Sequence, residues 1–207
     1  MVVARSACSS RWASARRGRT RRAGSAAGFS LIEVMIATAL LGTALVAVAQ
    51  LFATSTRANT NARASTFAMV LAQQKMEQLR GLAWGFDAQG NRVSDFQSNL
   101  AVTPPAASGG PGLAPSPVGT LLTSTVGYVD YLGPAGAYAG TGTTPPSDAV
   151  YIRRWSVTPL PEDPANTLVL QVMVTRQRNR GAVANAGAGL RLPNEARIVS
   201  LKTRKSR

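Results

Sequence analysis

The chain holds few of the side chains that enzymes use for chemistry. There is no histidine among its 207 residues, and the only cysteine is Cys8. Ser-His-Asp catalysis, Cys-His catalysis and the usual zinc sites each need an imidazole or a thiolate, so these classes are excluded. The nine acidic residues are dispersed, apart from the adjacent Glu162 and Asp163. We therefore expect no enzymatic activity, no catalytic residue, no metal site and no cofactor.

Glu33 is the one carboxylate whose position indicates a function. It is the only charged residue in the run FSLIEVMIATALLGTALVAVAQLF, residues 29–52. An ionisable group inside an apolar segment is costly to keep in lipid, and it is by default a functional candidate with a partner. The spacing Ser30-x-x-Glu33 also fits a capping box at the start of a helix. The sequence allows both roles, an ion pair and a local helix cap.

The apolar run around Glu33 is long enough to cross a bilayer. Its 24 residues would form about 36 Å of helix at 1.5 Å per residue, against a hydrocarbon core of about 30 Å. We expect residues 29–52 to form a membrane-spanning or assembly-core helix. An ordinary secretory signal is cut after its apolar region, which is then discarded. A cut before residue 29 would instead leave the apolar helix attached to the product.

Residues 1–28 form a basic leader. The leader has no acidic residue and carries half of the net charge of +14, so the rest of the chain carries 14 − 7 = +7. Its seven arginines are Arg5, Arg11, Arg16, Arg17, Arg19, Arg21 and Arg22. The run RRGRTRR has the composition of a nuclear, twin-arginine or nucleic-acid-binding segment, but a basic segment beside a span is first a topology determinant. It predicts a cytoplasmic leader, with everything after Phe52 on the other side of the membrane.

Residues 53–82 predict an amphipathic continuation of the same helix, because no proline occurs before Pro104 and no glycine between Gly42 and Gly81. The helix is expected to end near Arg80, with Gly81 as the stop signal. The expected apolar face contains Met69, Ala72, Met76, Leu79 and Ala83. The expected polar face contains Gln73, Gln74, Lys75, Glu77 and Arg80.

The remaining sequence predicts a loop-rich region followed by a sheet. Residues 83–148 are rich in Gly, Pro, Ser and Thr; a strand is expected within residues 121–132, and mobility in residues 104–119. The stretch DAQGNRVSD, residues 87–95, lacks the glycine position of a calcium loop and predicts a Gly-Asn turn. Strands are expected at residues 149–158, 167–175 and 196–203, within a C-terminal sheet and basic tail at 149–207. The predicted fold class is α+β, a long N-terminal helix packed on a small antiparallel sheet.

One heptapeptide resembles a known family. The sequence GFSLIEV, residues 28–34, lies between the basic leader and the apolar helix, as in type IV pilins and the pseudopilins of type II secretion. The resemblance is close over about residues 28–82 and is architectural beyond them. The AQQKMEQLR stretch, residues 72–80, is similar to the helix ends of minor pilins of the pilus modification class and their secretion-system counterparts.

The resemblance implies a role for each residue at this junction. A prepilin peptidase would cut between Gly28 and Phe29 and methylate the new Phe29 amine. Glu33 would pair with the Phe29 amine of a neighbouring subunit. The implied partners are other pilin or pseudopilin subunits, an inner-membrane assembly platform, and the membrane itself before assembly. The implied location is the bacterial inner membrane with an extracytoplasmic C-terminal domain, then a pilus or pseudopilus.

Two alternatives stay open on the sequence alone. The first is a filament-borne DNA receptor, suggested by the charge of +7 and a basic tail containing Lys202, Arg204, Lys205 and Arg207. The second is an unprocessed single-pass anchor that presents an extracytoplasmic module. Nucleic acid is the weaker prediction, because a solvated basic end is the ordinary state of such a tail.

Overall fold

The computed structural model describes residues 28–177 and 195–204. The basic leader, Cys8, Lys205 and Arg207 lie outside the described residues. The chain divides into two units, Met1–Ala49 and Gln50–Arg207, and each is described by itself.

In the described part of the chain, one α-helix, α1, runs from Leu31 to Gly81 over 51 residues. It begins where the carbonyl oxygen of Ser30 accepts bonds from the backbone N–H groups of Glu33, at 3.0 Å, and Val34, at 3.2 Å. It ends at the predicted glycine. Five threonine hydroxyls donate to carbonyls three or four residues earlier in the helix, so these polar groups are satisfied without an outside partner. They belong to Thr38, Thr43, Thr54, Thr60 and Thr66.

Within residues 28–177 and 195–204, seven strands follow the helix, and all of them pair antiparallel. A two-stranded sheet is formed by β1 and β2, and a five-stranded sheet has the order β4-β3-β5-β6-β7. The strands are β1 Trp84–Phe86, β2 Arg92–Ser94, β3 Val129–Leu132, β4 Tyr138–Thr141, β5 Tyr151–Pro159, β6 Thr167–Arg176 and β7 Ala196–Thr203. The α+β prediction is confirmed. Each of the three predicted C-terminal strands is present, and its first and last residues lie within two positions of the predicted ones.

The core lies between one face of the sheet and the C-terminal part of α1. Helix residues Ala68, Leu71, Ala72, Met76 and Leu79 are buried against sheet residues that include Trp155, Val157, Leu170 and Val172. The alanines have small side chains, so the helix backbone can approach the large aromatic groups of β5 closely. At the N-terminal end of this interface the Phe67 and Tyr151 rings lie 5.5 Å apart.

The predicted burial is wrong at three positions. Met69 and Ala83, expected in the core, are exposed, whereas Lys75, expected in solvent, is fully buried. The buried stripe is shifted to include Ala64, Ala68, Leu71 and Lys75. Hydropathy periodicity assigns a lysine to solvent, but here the sheet supplies a carboxylate that can pair with it.

The Gly/Pro-rich region contains more regular structure than its composition indicates. It holds β1 to β4, and the expected strand within residues 121–132 is limited to the four residues of β3. Within residues 104–119, expected to be mobile, Leu113 is fully buried in the core, whereas residues 104–109 are exposed. The Ser116 N–H donates to the Val157 carbonyl at 2.9 Å, and the Tyr128 hydroxyl donates to the Ala114 carbonyl at 2.9 Å. The predicted turn is present between β1 and β2, with Gly90 at a positive φ of 84°.

A buried charge cluster joins the helix to the sheet. Asp130 on β3 accepts two bonds from the Arg153 guanidinium on β5, at 2.9 and 2.8 Å, and one ion pair from the Lys75 ammonium at 2.8 Å. The Arg153 guanidinium also donates to the Leu71 carbonyl of α1 at 3.0 Å, and the Lys75 ammonium donates to the Leu100 carbonyl at 2.6 Å. Each of the three charged side chains is at most 3% exposed. One carboxylate therefore compensates two buried cations.

We expect Asp130→Asn to lower the free energy of unfolding by about 3–5 kcal/mol, because two buried cations would lose their shared anion. The measurement is a urea titration followed by tryptophan fluorescence. The control is Asp148→Asn, since Asp148 is exposed and a surface change away from special contacts usually alters stability by less than about 0.5 kcal/mol. Equal effects of the two substitutions would contradict the role given to Asp130.

Candidate functional site

The candidate site is the junction where the chain enters α1. Gly28, Phe29 and Ser30 precede the helix and are all exposed, and Phe29 is 83% exposed. A Cβ added at Gly28 would meet no atom within 4 Å. The peptide between Gly28 and Phe29 is therefore in an open, non-helical segment that another protein can reach.

Phe29 and Glu33 lie on the same side of the chain. They border one surface groove, together with Ala37 and Leu41. The pair that the resemblance implies joins the Phe29 amine of one subunit to Glu33 of another, so this proximity within one chain does not test it. Phe29 and Glu33 of one chain are close enough to border one groove, and the groove is open along the helix surface.

The Glu33 carboxylate has no hydrogen-bond or ion-pair partner among residues 28–177 and 195–204. Ser30 contributes its backbone carbonyl to the helix start, while the reciprocal side-chain bonds of a capping box are not formed in this part of the chain. An acid in the first turn is still favoured by the helix dipole, by about 0.3–1 kcal/mol. Within the part of the chain that the structure describes, the lone pairs of this carboxylate therefore stay available to a partner.

The apolar half of α1 is uncovered. Every residue from Gly28 to Arg63 is exposed. In residues 31–52 this includes bulky side chains at nearly every turn, among them Leu31, Ile32, Leu41, Leu45 and Phe52. By length and composition α1 could cross a membrane. Soluble proteins do not usually expose a contiguous apolar surface of this size, so we take it as a surface for lipid or for another protein.

The basic tail contributes two of its residues to the fold. The Arg204 guanidinium stacks over the Trp84 ring at 3.7 Å and donates to the carbonyls of Ala165, Gly85 and Val93. The Lys202 ammonium donates to the Arg80 carbonyl at the end of α1. Burial, and then the charge of nearby Arg92, lower the pKa of Arg204. Through these contacts Arg204 binds the β1–β2 hairpin.

Within the described residues, no group of three or more His, Cys, Asp or Glu side chains is placed to hold a metal ion. The cluster of Lys75, Asp130 and Arg153 is the charged site that sequence reasoning missed. The available signal was a charged residue inside each of two apolar strands, Asp130 in VDYL and Arg153 in YIRRW.

Comparison with models of protein families, with curated proteins and with solved structures finds no match for this chain.

If residues 31–52 lie in lipid, Ala39→Arg should reduce the membrane-bound fraction, because an arginine at the centre of a span costs about 2.5–3.5 kcal/mol. The measurement is the distribution of the full chain between membrane pellet and supernatant after alkaline extraction. Ala58→Arg is the matched control, since Ala58 is equally exposed on the polar part of the same helix. Wild-type membrane retention of Ala39→Arg would contradict lipid burial of this segment.

Proposed function

We propose that the chain is a minor pilin or pseudopilin: a structural subunit that is made with a cytoplasmic leader, processed at Gly28, and assembled from the inner membrane into a type IV pilus or type II secretion pseudopilus. It acts through assembly and carries no catalytic centre. The observation that carries the proposal is the Glu33 carboxylate, which has no partner among the described residues, lies in the first turn of an uncovered apolar helix and follows directly after an accessible Gly28-Phe29 peptide.

The geometry of the junction supports processing before the helix. Gly28 has no side chain and lies in open space, so a prepilin peptidase could take the peptide into a narrow cleft. Cleavage there would leave the apolar helix on the product and place a new amine at Phe29, which the same enzyme would methylate. The mature chain would then have a cation one turn away from its lone intramembrane carboxylate.

Assembly follows from the same two groups. The Phe29 amine of an incoming subunit would meet the Glu33 carboxylate of a subunit already in the filament, and the apolar helices would cover one another. Both charges would be removed from lipid as a pair, which lowers the cost of each. The membrane holds the subunit before assembly, and the inner-membrane platform and the other subunits are its partners.

The DNA-receptor alternative gains no support from the tail. Lys202 and Arg204 are engaged with α1 and the β1–β2 hairpin, and Lys205 and Arg207 lie outside the described residues.

Gly28→Leu should block maturation and leave membrane insertion intact, because the span and its basic flank are unchanged. Immunoblots of membrane fractions should show only the longer form. In the wild type, mass analysis of isolated filaments should find a methylated Phe29 N-terminus. Gly42→Leu is the control, since a Cβ at Gly42 also meets no atom within 4 Å. Normal processing of Gly28→Leu, or filaments that begin at Met1, would refute the assignment.

Glu33→Val should leave cleavage largely intact and reduce entry into the filament, because docking needs the carboxylate whereas cleavage centres on Gly28. Stranding one member of a buried ion pair costs about 3–5 kcal/mol, a factor of hundreds or more in incorporation. Glu33→Asp should be intermediate, and Glu33→Gln tests whether hydrogen bonding suffices. The measurement is the ratio of mature subunit in sheared filaments to that left in the membrane.

The matched control for Glu33 is Glu77→Val, which removes an exposed glutamate from the same helix. It should enter filaments as the wild type does. If Glu33→Val also enters filaments as well as the wild type, Glu33 acts only on its own helix and the intersubunit pair is wrong.

A further inference from the structure

The buried cluster of Lys75, Asp130 and Arg153 has one more positive than negative charge. Asp130 already has a matched partner, since the Arg153 guanidinium contacts both of its carboxylate oxygens at 2.9 and 2.8 Å. The Lys75 ammonium is added to this complete pair, 2.8 Å from the same carboxylate and fully buried. Removing one proton from Lys75 would leave an electrically balanced pair in the core.

The surroundings of Lys75 can hold either protonation state. Its Nζ lies 2.6 Å from the Leu100 carbonyl oxygen and 4.5 Å from the centre of the Trp155 ring. A neutral amine can still donate to the carbonyl and to Asp130, so deprotonation leaves no unsatisfied donor that the fold requires. The ammonium gains from the carbonyl, the carboxylate and the ring, and is opposed by burial and by Arg153.

We propose that the buried cluster of Lys75, Asp130 and Arg153 is a pH-dependent latch, that is, a contact that holds α1 on the sheet. Lys75 releases a proton as the pH rises from neutral into mild alkali, and the folded state then becomes more stable. The latch joins four parts of the fold: α1 through Lys75 and the Leu71 carbonyl, the 95–128 connection through Leu100, β3 through Asp130, and β5 through Arg153. This inference does not depend on the proposed function.

The direction of the effect follows from the charges that face Lys75. Burial lowers the pKa of Lys75 from 10.5 to about 8; Asp130 on β3 opposes this change, and Arg153 on β5 adds to it. The β6 residues in the same core, such as Leu170 and Val172, are not titratable. Between pH 8 and 10.5 the unfolded chain therefore binds more protons than the folded chain, and stability rises with pH. The stabilisation that Lys75 contributes is complete above the pKa of Lys75 in the unfolded chain, and it is lost as the pH falls through the pKa of Lys75 in the folded chain.

Two tyrosines set the upper limit of this pH window. Burial raises the pKa of Tyr128, and burial together with the Asp130 charge raises the pKa of Tyr138. Each of these tyrosines keeps its proton to a higher pH in the folded chain than in the unfolded chain. The stability that they contribute is therefore lost as the pH rises above about 10. The effect of Lys75 is therefore measured between pH 7 and 9.5.

The first test is a urea titration of the full chain in detergent micelles at pH 7 and at pH 9.5, followed by tryptophan fluorescence. The equilibrium constant for unfolding should fall on the order of tenfold over this interval in the wild type. Lys75→Met, which keeps the length and apolar stem of the side chain, should remove this pH dependence. Lys202→Met is the matched control and should retain it. A wild type without the tenfold change, or a Lys75→Met variant that keeps it, would overturn the proposal.

The second test needs no variant to fold. The chain has only three lysines, Lys75, Lys202 and Lys205, so an NMR titration of a sample labelled with ¹³C at lysine Cε resolves each one. The Lys75 resonance should titrate with a midpoint near 8, well below the ordinary lysine pKa of 10.5. A Lys75 midpoint at the ordinary lysine value would overturn the proposal whatever the urea data show.

Discussion

The folded domain depends on one carboxylate. Asp130 lies on a short strand of four residues, and through its contacts with Lys75 and Arg153 it joins the helix to the middle of the five-stranded sheet. Apolar contacts between α1 and the sheet supply most of the burial, but they are not directional. The bidentate contact with Arg153, and the bond from Arg153 to the Leu71 carbonyl, fix the rotation of the helix on the sheet.

The helix has two parts that differ in composition. Apart from Glu33, residues 31–52 carry no charge and have apolar side chains on every side, whereas Ala64, Ala68 and Ala72 form a narrow stripe of small side chains that meets the sheet. Only the second part is covered by the rest of the described chain. A helix that is apolar all round needs a covering from lipid or from other helices. This requirement, more than any feature of the sheet, limits the functions that the chain can have.

The parts of the fold that the sequence predicts are those with strong local periodicity. The helix from 31 to 81 and strands β5, β6 and β7 are long enough for their patterns to be read. β1 to β4 have three or four residues each, too few for an alternating pattern to be read, so their pairing within the fold decides whether they form. The sequence pattern assigns Lys75 to solvent because its partner lies on a strand far along the chain. The junction at residues 28–34 can be recognised from the sequence because its residues are contiguous, whereas its exposure, and the absence of a Glu33 partner among the described residues, depend on the three-dimensional arrangement.

The last strand of the chain closes the fold. β7 pairs with β6, Ser200 on β7 accepts bonds from Arg80 at the end of α1, and Arg204 fastens the β1–β2 hairpin. The Arg80–Ser200 contact joins residues 120 positions apart. Synthesis produces the helix first and this strand last, so a ribosome would release the apolar segment long before the domain can close. The apolar segment is therefore exposed at a stage when the C-terminal domain is still unfolded.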